Sequence, residues 1–224
     1  MSGSQRTTFE VMERSQQTWI ETADGCRLDA DLVLPADEST ALQGGIVVAH
    51  PHPLYGGNRH HPIVGSLTTY ATKLGWVSIR FDFRGTGRST GDHGDGLSEV
   101  ADMEAALGHL CTFLPDDIPL VSAGYSFGAV MALRAKNPRV THRVAVAAPL
   151  AMMADQAPPE EPTLLLVPTH DQYTSPEKAQ ALIESWPAAT QLHPIEGADH
   201  FLSGFADYVS TRVFAWLTEQ RCDS

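Results

Sequence analysis

Residues 118–134 read IPLVSAGYSFGAVMALR, an apolar run that is followed by a serine between two glycines and then by a second apolar run. The first run predicts a buried strand and the second predicts a helix. A sharp turn must join them, and it would hold Ser126 in a strained backbone conformation with Gly124 and Gly128 almost in contact. We therefore interpret Ser126 as a candidate nucleophile whose hydroxyl projects clear of the sheet.

The composition predicts a single soluble globular domain, because the chain has 224 residues, of which 42% are hydrophobic and 19% charged. The net charge of −12 argues against nucleic acid or an anionic membrane as a partner, since both require a basic surface. Residues 1–18 form a polar segment that we expect to be poorly ordered, and residues 19–219 form the domain.

The first fifteen residues lack the apolar core of a signal peptide, and no apolar run approaches the length of a membrane span. The three cysteines, Cys26, Cys111 and Cys222, are widely spaced and form no CxxC pair, which fits reduced thiols. Both observations predict a cytoplasmic protein.

Predicted strands and helices alternate along most of the chain, which is typical of a mostly parallel sheet covered by helices on both faces. A hairpin is expected over 19–21 and 27–34, and further strands over 45–49, 76–81, 118–123, 144–148, 163–167 and 191–195. The remaining predicted helices cover 63–74, 97–113, 176–186 and 204–217. The expected fold class is therefore a single-domain α/β fold with about eight strands.

A serine hydroxyl needs a histidine to take its proton and an acid to orient that histidine. In the order Ser, Asp, His, both partners should follow later strands of the sheet. Asp171 follows the predicted strand 163–167, and His200 follows the strand 191–195. We predict that Asp171 orients His200, and that His200 is the general base and then the general acid. Asp155 is a competing acid, whereas Asp199 is expected to point elsewhere.

An oxyanion hole needs two N–H donors, and Phe127 supplies one at the start of the helix after Ser126. The second should come from the loop after strand 45–49, which reads HPHPLYGGN. Proline has no N–H, so Pro51 and Pro53 are excluded as donors. His52 is then the first candidate and Leu54 the second.

Other motifs in the loops predict structural roles. His50, His52, His60 and His61 cluster in a Pro/Gly-rich loop without an accompanying set of carboxylates, so we predict no metal site. We expect the imidazoles to shape the wall of the active site and to hydrogen-bond to the loop backbone. The segment GTGRSTG (85–91) does not open a helix, so it lacks the cradle of a dinucleotide-binding turn. Asp82 and Arg84 beside it are expected to brace the loop, and no cofactor is predicted.

Three segments, HPHPLYGGNRHHP (50–62), FDFRGTGRSTG (81–91) and GYSFG (124–128), resemble those of compact serine hydrolases and esterases of the α/β-hydrolase superfamily. THDQYTSP (169–176) and GADHF (197–201) complete the set. The resemblance covers almost the whole chain from Trp19 to Leu217. It implies that Ser126, Asp171 and His200 form a catalytic triad.

Larger members of that superfamily insert a helical cap between the strands that end here near Ala148 and begin near Thr163, and this connection is too short for one. An open site follows, with a small or medium ester as the expected substrate and a thioester or amide as alternatives. The same fold could instead serve a non-catalytic ligand-binding protein, and the oligomeric state stays open. The candidate wall residues are Leu54, Tyr55, Met152, Met153 and Tyr173.

Overall fold

An eight-stranded sheet with the order β1-β2-β4-β3-β5-β6-β7-β8 forms the centre of the protein. The computed structural model describes residues 14–35, 37, 41–153 and 156–222. Its strands are β1 (Arg14–Glu21), β2 (Arg27–Leu34), β3 (Gly44–Ala49), β4 (Trp76–Phe81), β5 (Leu120–Tyr125), β6 (Val140–Val146), β7 (Thr163–His170) and β8 (Thr190–Asp199). Its helices are α1 (Pro62–Lys73), α2 (Glu99–Cys111), α3 (Phe127–Arg134), α4 (Pro176–Ile183) and α5 (Ala206–Cys222).

The opening hairpin is antiparallel, as predicted, and turns at Asp24 and Gly25. Its first strand begins at Arg14, which is earlier than the predicted start at Trp19. The expectation of a poorly ordered segment is therefore wrong for residues 14–18, and residues 1–13 lie outside the described residues. The first half of this strand was not recognisable from the sequence, because the side chains of residues 14–18 are polar and mostly exposed. An edge strand can form through backbone pairing to its one neighbour, without an apolar pattern.

The other strands, from β3 through β8, pair in parallel, and helices cover both faces of the sheet. Alternate residues of β3 show the division, since Val47 packs into one apolar core and Ile46 into the other. The first core includes residues of α2, α3 and α4, and the second includes residues of α1 and α5. This architecture confirms the predicted fold class. Among the described helices, none has the length and apolar character needed to cross a membrane.

The last strand pair extends further than predicted and thereby positions the site. Strands β7 and β8 continue past an irregularity between Pro168 and His170, so that His170 pairs with Asp199. The next residue on each chain segment is Asp171 on one side and His200 on the other. The register of this pair therefore brings the two candidate catalytic side chains next to each other at the carboxyl end of the sheet.

Candidate active site

Ser126 sits at the sharp turn between β5 and α3 and has a backbone conformation that non-glycine residues rarely adopt, with φ 54° and ψ −118°. Its N–H donates to the carbonyl of Val146 on the neighbouring strand at 2.8 Å. A Cβ atom on Gly124 would lie 2.2 Å from the carbonyl oxygen of Gly128, and a Cβ on Gly128 would lie 2.4 Å from that of Ala49. Both glycines are therefore sterically required, as the sequence predicted.

The structure brings Ser126, His200 and Asp171 into one hydrogen-bonded chain. The Oγ of Ser126 lies 2.9 Å from Nε2 of His200, and Nδ1 of His200 lies 2.9 Å from Oδ2 of Asp171. All three residues are buried. This is the arrangement in which an imidazole can take a proton from the serine while a carboxylate orients it.

The carboxylate of Asp171 is itself fixed by main-chain donors. Its Oδ1 accepts the N–H of Tyr173 at 2.8 Å and that of Thr174 at 3.4 Å. These bonds come from the loop between β7 and α4, and they leave Oδ2 directed at His200. Among the described residues, no lysine or arginine forms an ion pair with this carboxylate, and the imidazole is its side-chain partner.

His200 is held by aromatic neighbours. The hydroxyl of Tyr125 donates to the main-chain carbonyl of His200 at 2.8 Å, and the ring of Tyr173 meets the imidazole edge-on with centroids 4.6 Å apart. Burial raises the pKa of Tyr125, and the nearby charges of Asp171 and Asp199 raise it further. The phenol therefore stays protonated and keeps donating to the loop that carries His200.

The competing acids differ in what the structure says of them. Asp199 uses its Oδ1 to accept the N–H of Phe201 at 3.0 Å and forms no described bond to the imidazole of His200, in agreement with the expectation that it points elsewhere. Asp155 lies outside the described residues. Asp171 is thus the acid that contacts His200 within the part of the chain that the structure describes.

The side chains of the two first candidates for the oxyanion hole, His52 and Phe127, contact each other. The rings of His52 and Phe127 have centroids 4.8 Å apart, and no hydrogen bond of the described residues uses the main-chain N–H of either residue. The second candidate, Leu54, is wrong because its N–H already donates to Nδ1 of His52 at 3.2 Å. The assignment of His52 and Phe127 as oxyanion donors stays a prediction.

A cavity of about 560 Å³ adjoins Ser126. Its described wall contains no Asp, Glu, Lys or Arg and is mainly aromatic and apolar. The residues that line it are Pro51, His52, Tyr55, Gly56, Gly57, His61, Tyr125, Ser126, Phe127, Pro149, Ala151, Met152, Tyr173, His200 and Phe201. A cavity with this lining favours an uncharged, partly apolar ligand.

The structure corrects two of the five predicted wall residues. Tyr55, Met152 and Tyr173 line the cavity, but Leu54 lies outside its wall with 70% of its surface exposed. Met153 is 1% exposed and packs into the apolar core instead. Within the 3₁₀ turn at 150–153, Met152 lines the cavity, whereas Met153 turns toward the core.

The sequence interpretation missed two aromatic wall residues, Tyr125 and Phe201. A usable signal was present, since Tyr125 directly precedes Ser126 and Phe201 directly follows His200. Side chains next to reactive residues at the ends of parallel strands emerge at the same edge of the sheet. Such neighbours are therefore the first places to look for the cavity wall.

The four clustered histidines have three different surroundings. His50 is fully buried, donates from Nδ1 to the carbonyl of Pro51 at 2.6 Å and accepts the N–H of Phe83 at Nε2 at 3.0 Å. Burial lowers the pKa of His50 to about 3. His60 is exposed, while His52 and His61 line the cavity. The prediction that the imidazoles shape the wall is therefore right for His52 and His61 and wrong for His50 and His60. The predicted hydrogen bonds to backbone are made by His50, His52 and His61.

Arg59 and Arg84 lie beside the site in a charged layer, which consists of these two arginines with Asp29, Asp31, Asp82 and Asp102. Arg59 pairs with Asp29 at 3.0 Å, with Asp31 at 3.3 Å and with Asp82. Arg84 pairs with Asp102 at 2.7 Å. The predicted bracing role of Asp82 and Arg84 agrees with these contacts. Within the described residues, no group of three potential ligands could hold a metal ion.

The parallel sheet and the sharp serine turn define an α/β-hydrolase fold, and comparison with known proteins gives the family. A model of the X-Pro dipeptidyl-peptidase family, S15, matches residues 24–159. Because the match covers more than half of the chain, the chain belongs to this family. It is also 31% identical over 168 residues to an uncharacterized protein of Rickettsia prowazekii, an alignment that covers 69% of this chain and 70% of that one.

Solved structures show the same architecture. A Xanthomonas campestris protein described as an α/β serine hydrolase without a lid is 26% identical with a TM-score of 0.74, covering 88% of this chain and 94% of its own. A Coxiella burnetii serine hydrolase homologue is 24% identical with a TM-score of 0.76, over 88% and 96% of the two chains. An esterase of Pyrococcus furiosus is 18% identical with a TM-score of 0.76, over 93% and 94%. The last two similarities concern the fold alone.

Proposed function

We propose that this protein is a serine hydrolase that cleaves small or medium carboxylic esters through an acyl-enzyme on Ser126. The observation that carries the proposal is the hydrogen-bonded chain from Asp171 through His200 to Ser126, which ends at an uncharged cavity. Family membership and the likeness to a lid-less serine hydrolase support the reaction type. Neither of them specifies which bond is cleaved, and we propose that it is an ester.

The reaction follows from the geometry of the three side chains. His200 accepts the proton of Ser126 as Oγ attacks the ester carbonyl, and the N–H groups of Phe127 and His52 hold the resulting oxyanion. The imidazolium, stabilised by Asp171, then protonates the departing alcohol, and the acyl group stays on Oγ. A water molecule gives a proton to His200 and attacks the acyl carbonyl, which releases the acid and restores Ser126. These steps need neither a metal nor a cofactor.

The cavity supports the proposed substrate class. Aromatic side chains and Met152 offer an apolar surface for an acyl group, and methionine adapts to groups of different shape. The wall has no described charged residue that would bind an ionised substrate close to the serine. The connection between β6 and β7 holds one short 3₁₀ turn among its described residues, so an ester can enter from solvent.

A peptide is the second candidate substrate, because the matching family is described as X-Pro dipeptidyl-peptidases. The same triad attacks amide carbonyls as well as esters. However, a dipeptidyl-peptidase must bind the ammonium group at the start of its substrate, which requires an acidic partner. None of the described wall residues is acidic. We therefore place amide cleavage behind ester cleavage.

Two measurements test the proposal together. A fluorophosphonate probe should label Ser126, and p-nitrophenyl butanoate should be hydrolysed at a rate that falls at least about 10³-fold in Ser126→Ala. Ser185→Ala, which changes an exposed serine in the turn after α4, is the matched control and should keep full activity. Glycyl-prolyl p-nitroanilide tests the second candidate.

Different results would contradict different parts of the proposal. Equal activity in Ser126→Ala, or a labelled peptide that lacks residue 126, would remove the nucleophile assignment. Faster cleavage of the dipeptide anilide than of the ester would make the protein a peptidase. Neither labelling nor turnover by the folded protein would favour a non-catalytic ligand-binding protein.

A further inference from the structure

Two histidines of the cavity wall share an unusual local arrangement. His52 and His61 each precede a proline and are each the N-cap of the next helix. For His52 this is the 3₁₀ helix Pro53–Tyr55, and for His61 it is α1. The Nδ1 of His52 accepts the N–H of Leu54 at 3.2 Å, and the Nδ1 of His61 accepts the N–H of Ile63 at 3.3 Å. Proline suits the first helical position, so the imidazole caps the next free N–H.

These caps fix the tautomer of both rings. A neutral imidazole has one nitrogen that donates and one that accepts. Because Nδ1 accepts a main-chain N–H in both residues, the proton must be on Nε2. His50, also followed by proline, is the opposite case, since its Nε2 accepts the N–H of Phe83. Burial lowers the pKa of His52 and His61, which keeps both rings neutral near pH 7.

The two Nε2–H groups have no hydrogen-bond partner among the described residues. Both residues line the cavity and are only partly buried. Neither Nε2 hydrogen-bonds to a described residue, and neither is a fully buried atom without a partner. The ring of His61 stacks on Tyr125 with centroids 4.8 Å apart, and the ring of His52 packs on Phe127 at 4.8 Å. Tyr125 and Phe127 precede and follow Ser126 in the chain, so each imidazole packs on a residue next to the candidate nucleophile.

We propose that His52 and His61 are specificity-determining residues whose Nε2–H groups bind an uncharged oxygen acceptor, such as an ether, hydroxyl or carbonyl, on the substrate. The preferred substrates are then oxygenated esters rather than plain alkyl esters. Neutral donors in a wall without described cations suit an uncharged acceptor better than a carboxylate or phosphate. This inference rests on the proposed function, because it assigns the substrate class of the same site.

A pair of isosteric substrates tests the preference. In p-nitrophenyl 3-methoxypropanoate an ether oxygen replaces one methylene of p-nitrophenyl pentanoate, while the leaving group and chain length stay the same. We expect wild-type kcat/KM to be higher for the ether ester by about 5- to 10-fold, the amount that one neutral hydrogen bond provides. An equal kcat/KM for both esters would overturn the inference.

Substitutions at position 61 separate the donor from the cap. His61→Asn keeps an acceptor that can cap α1, and its shorter amide places no donor at the position of Nε2, so the ratio of kcat/KM for the ether ester to kcat/KM for the pentanoate should fall about 5- to 10-fold. His61→Phe keeps a ring against Tyr125 and loses both the cap and the donor, so it should lose the same preference together with stability. Equal losses on both esters in His61→Asn would show a purely structural role.

A measurement without turnover keeps this inference separate from the proposed function. Long-range ¹⁵N–¹H spectra of Ser126→Ala should show a proton on Nε2 of His52 and His61 and on Nδ1 of His50. Added methoxypropanoate ester should shift the Nε2 signals of His52 or His61, and pentanoate ester should not. A proton on Nδ1 of His61, or equal shifts with both esters, would overturn it. The expected shifts from a protein whose wild type hydrolyses neither ester would refute only the proposed function.

Discussion

Two neighbouring regions at the carboxyl end of the sheet handle buried charge in opposite ways. In the charged layer, Arg59 joins three carboxylates at once, and Arg84 binds Asp102 with its Nε, its Nη2 and its main-chain N–H. In the triad cavity, the Asp171 carboxylate faces an imidazole and two main-chain N–H groups. The first region pairs anions with permanent cations, and the second pairs one anion with a group that can become a cation.

The difference explains which region can react. A carboxylate bound to arginine already has its counter-ion, so a proton moving nearby gains little from it. The charge of Asp171 is held by dipoles and becomes fully paired only when His200 is protonated, which is the state that would form in the proposed attack by Ser126. On the proposed function, the charged layer contributes to stability and the triad carries out the chemistry. Substitutions in the two regions should therefore affect different measurements.

The largest expected effect comes from Asp171→Asn. The amide would donate to Nδ1 of His200 and impose the wrong tautomer, so kcat/KM for p-nitrophenyl butanoate should fall by about 10⁴-fold. Because Oδ1 can still accept the N–H groups of Tyr173 and Thr174, the free energy of unfolding should change by less than about 1 kcal/mol. Steady-state kinetics and urea denaturation measure the two quantities.

Asp199→Asn is the matched control, because Asp199 adjoins His200 in the chain but binds the N–H of Phe201 instead of the imidazole. It should retain activity to within about threefold, since it removes no described contact of the triad. A larger loss of activity in Asp199→Asn than in Asp171→Asn would mean that Asp199, not Asp171, is the acid of the triad. The contrast between the two regions would then be wrong.

The triad arrangement was predictable from sequence because its signals are local. The pattern around Ser126 is a strand, a turn and a helix that are continuous in the chain, and Asp171 and His200 each follow one strand. What the sequence could not give was the register of β7 on β8 past Pro168, which sets the separation of those two side chains. Facing directions within short turns were equally hidden, so Leu54 and Met153 were assigned to the wrong surroundings.

The second prediction concerns the charged layer. Arg59→Met removes the cation that joins Asp29, Asp31 and Asp82, and it leaves buried carboxylates with less compensation. The free energy of unfolding should fall by about 3–5 kcal/mol. The kcat/KM of the molecules that remain folded should change by less than about threefold, because Arg59 does not line the cavity. Urea denaturation and active-site titration with the fluorophosphonate give the two numbers.

Arg139→Met provides the comparison, since Arg139 pairs at 2.9 Å with an almost fully exposed Asp116. An exposed pair contributes little, so this variant should lose less than about 1 kcal/mol. Similar losses in the two variants would mean that burial of the Arg59 network adds nothing. A fall of more than about threefold in the kcat/KM of folded Arg59→Met would mean that the charged layer takes part in chemistry.

The charged layer was only partly predictable. A bracing role for Asp82 and Arg84 followed from their place in a Gly-rich loop, but the role of Arg59 did not. Its partners Asp29 and Asp31 lie on β2, far away in the chain, and meet it only because β2 pairs with β4 beside β3. Contacts of this kind depend on strand order, which a single sequence does not specify residue by residue.

His50 connects the two regions and gives a third prediction, a dependence of stability on pH. Its Nε2 accepts from Phe83, whose neighbours Asp82 and Arg84 belong to the charged layer, and its Nδ1–H binds Pro51 in the cavity wall. Burial lowers its pKa from 6.5 to about 3. As the pH falls below 6.5, His50 binds a proton in the unfolded chain but stays neutral in the folded protein. The free energy of unfolding therefore decreases progressively from about pH 6.5 down to about pH 3.

Between about pH 6 and pH 4 this one residue should remove about 1.4 kcal/mol of unfolding free energy per pH unit. His50→Gln can keep one donor and one acceptor without titrating, so its slope should be smaller by that amount, as urea denaturation at a series of pH values would show. If the variant does not fold, ¹⁵N spectra of the wild type should still show a neutral His50 at pH 5. A protonated His50 in the folded protein at that pH would mean that water reaches His50 between the charged layer and the cavity. The two regions would then not be separated there by a buried, neutral side chain.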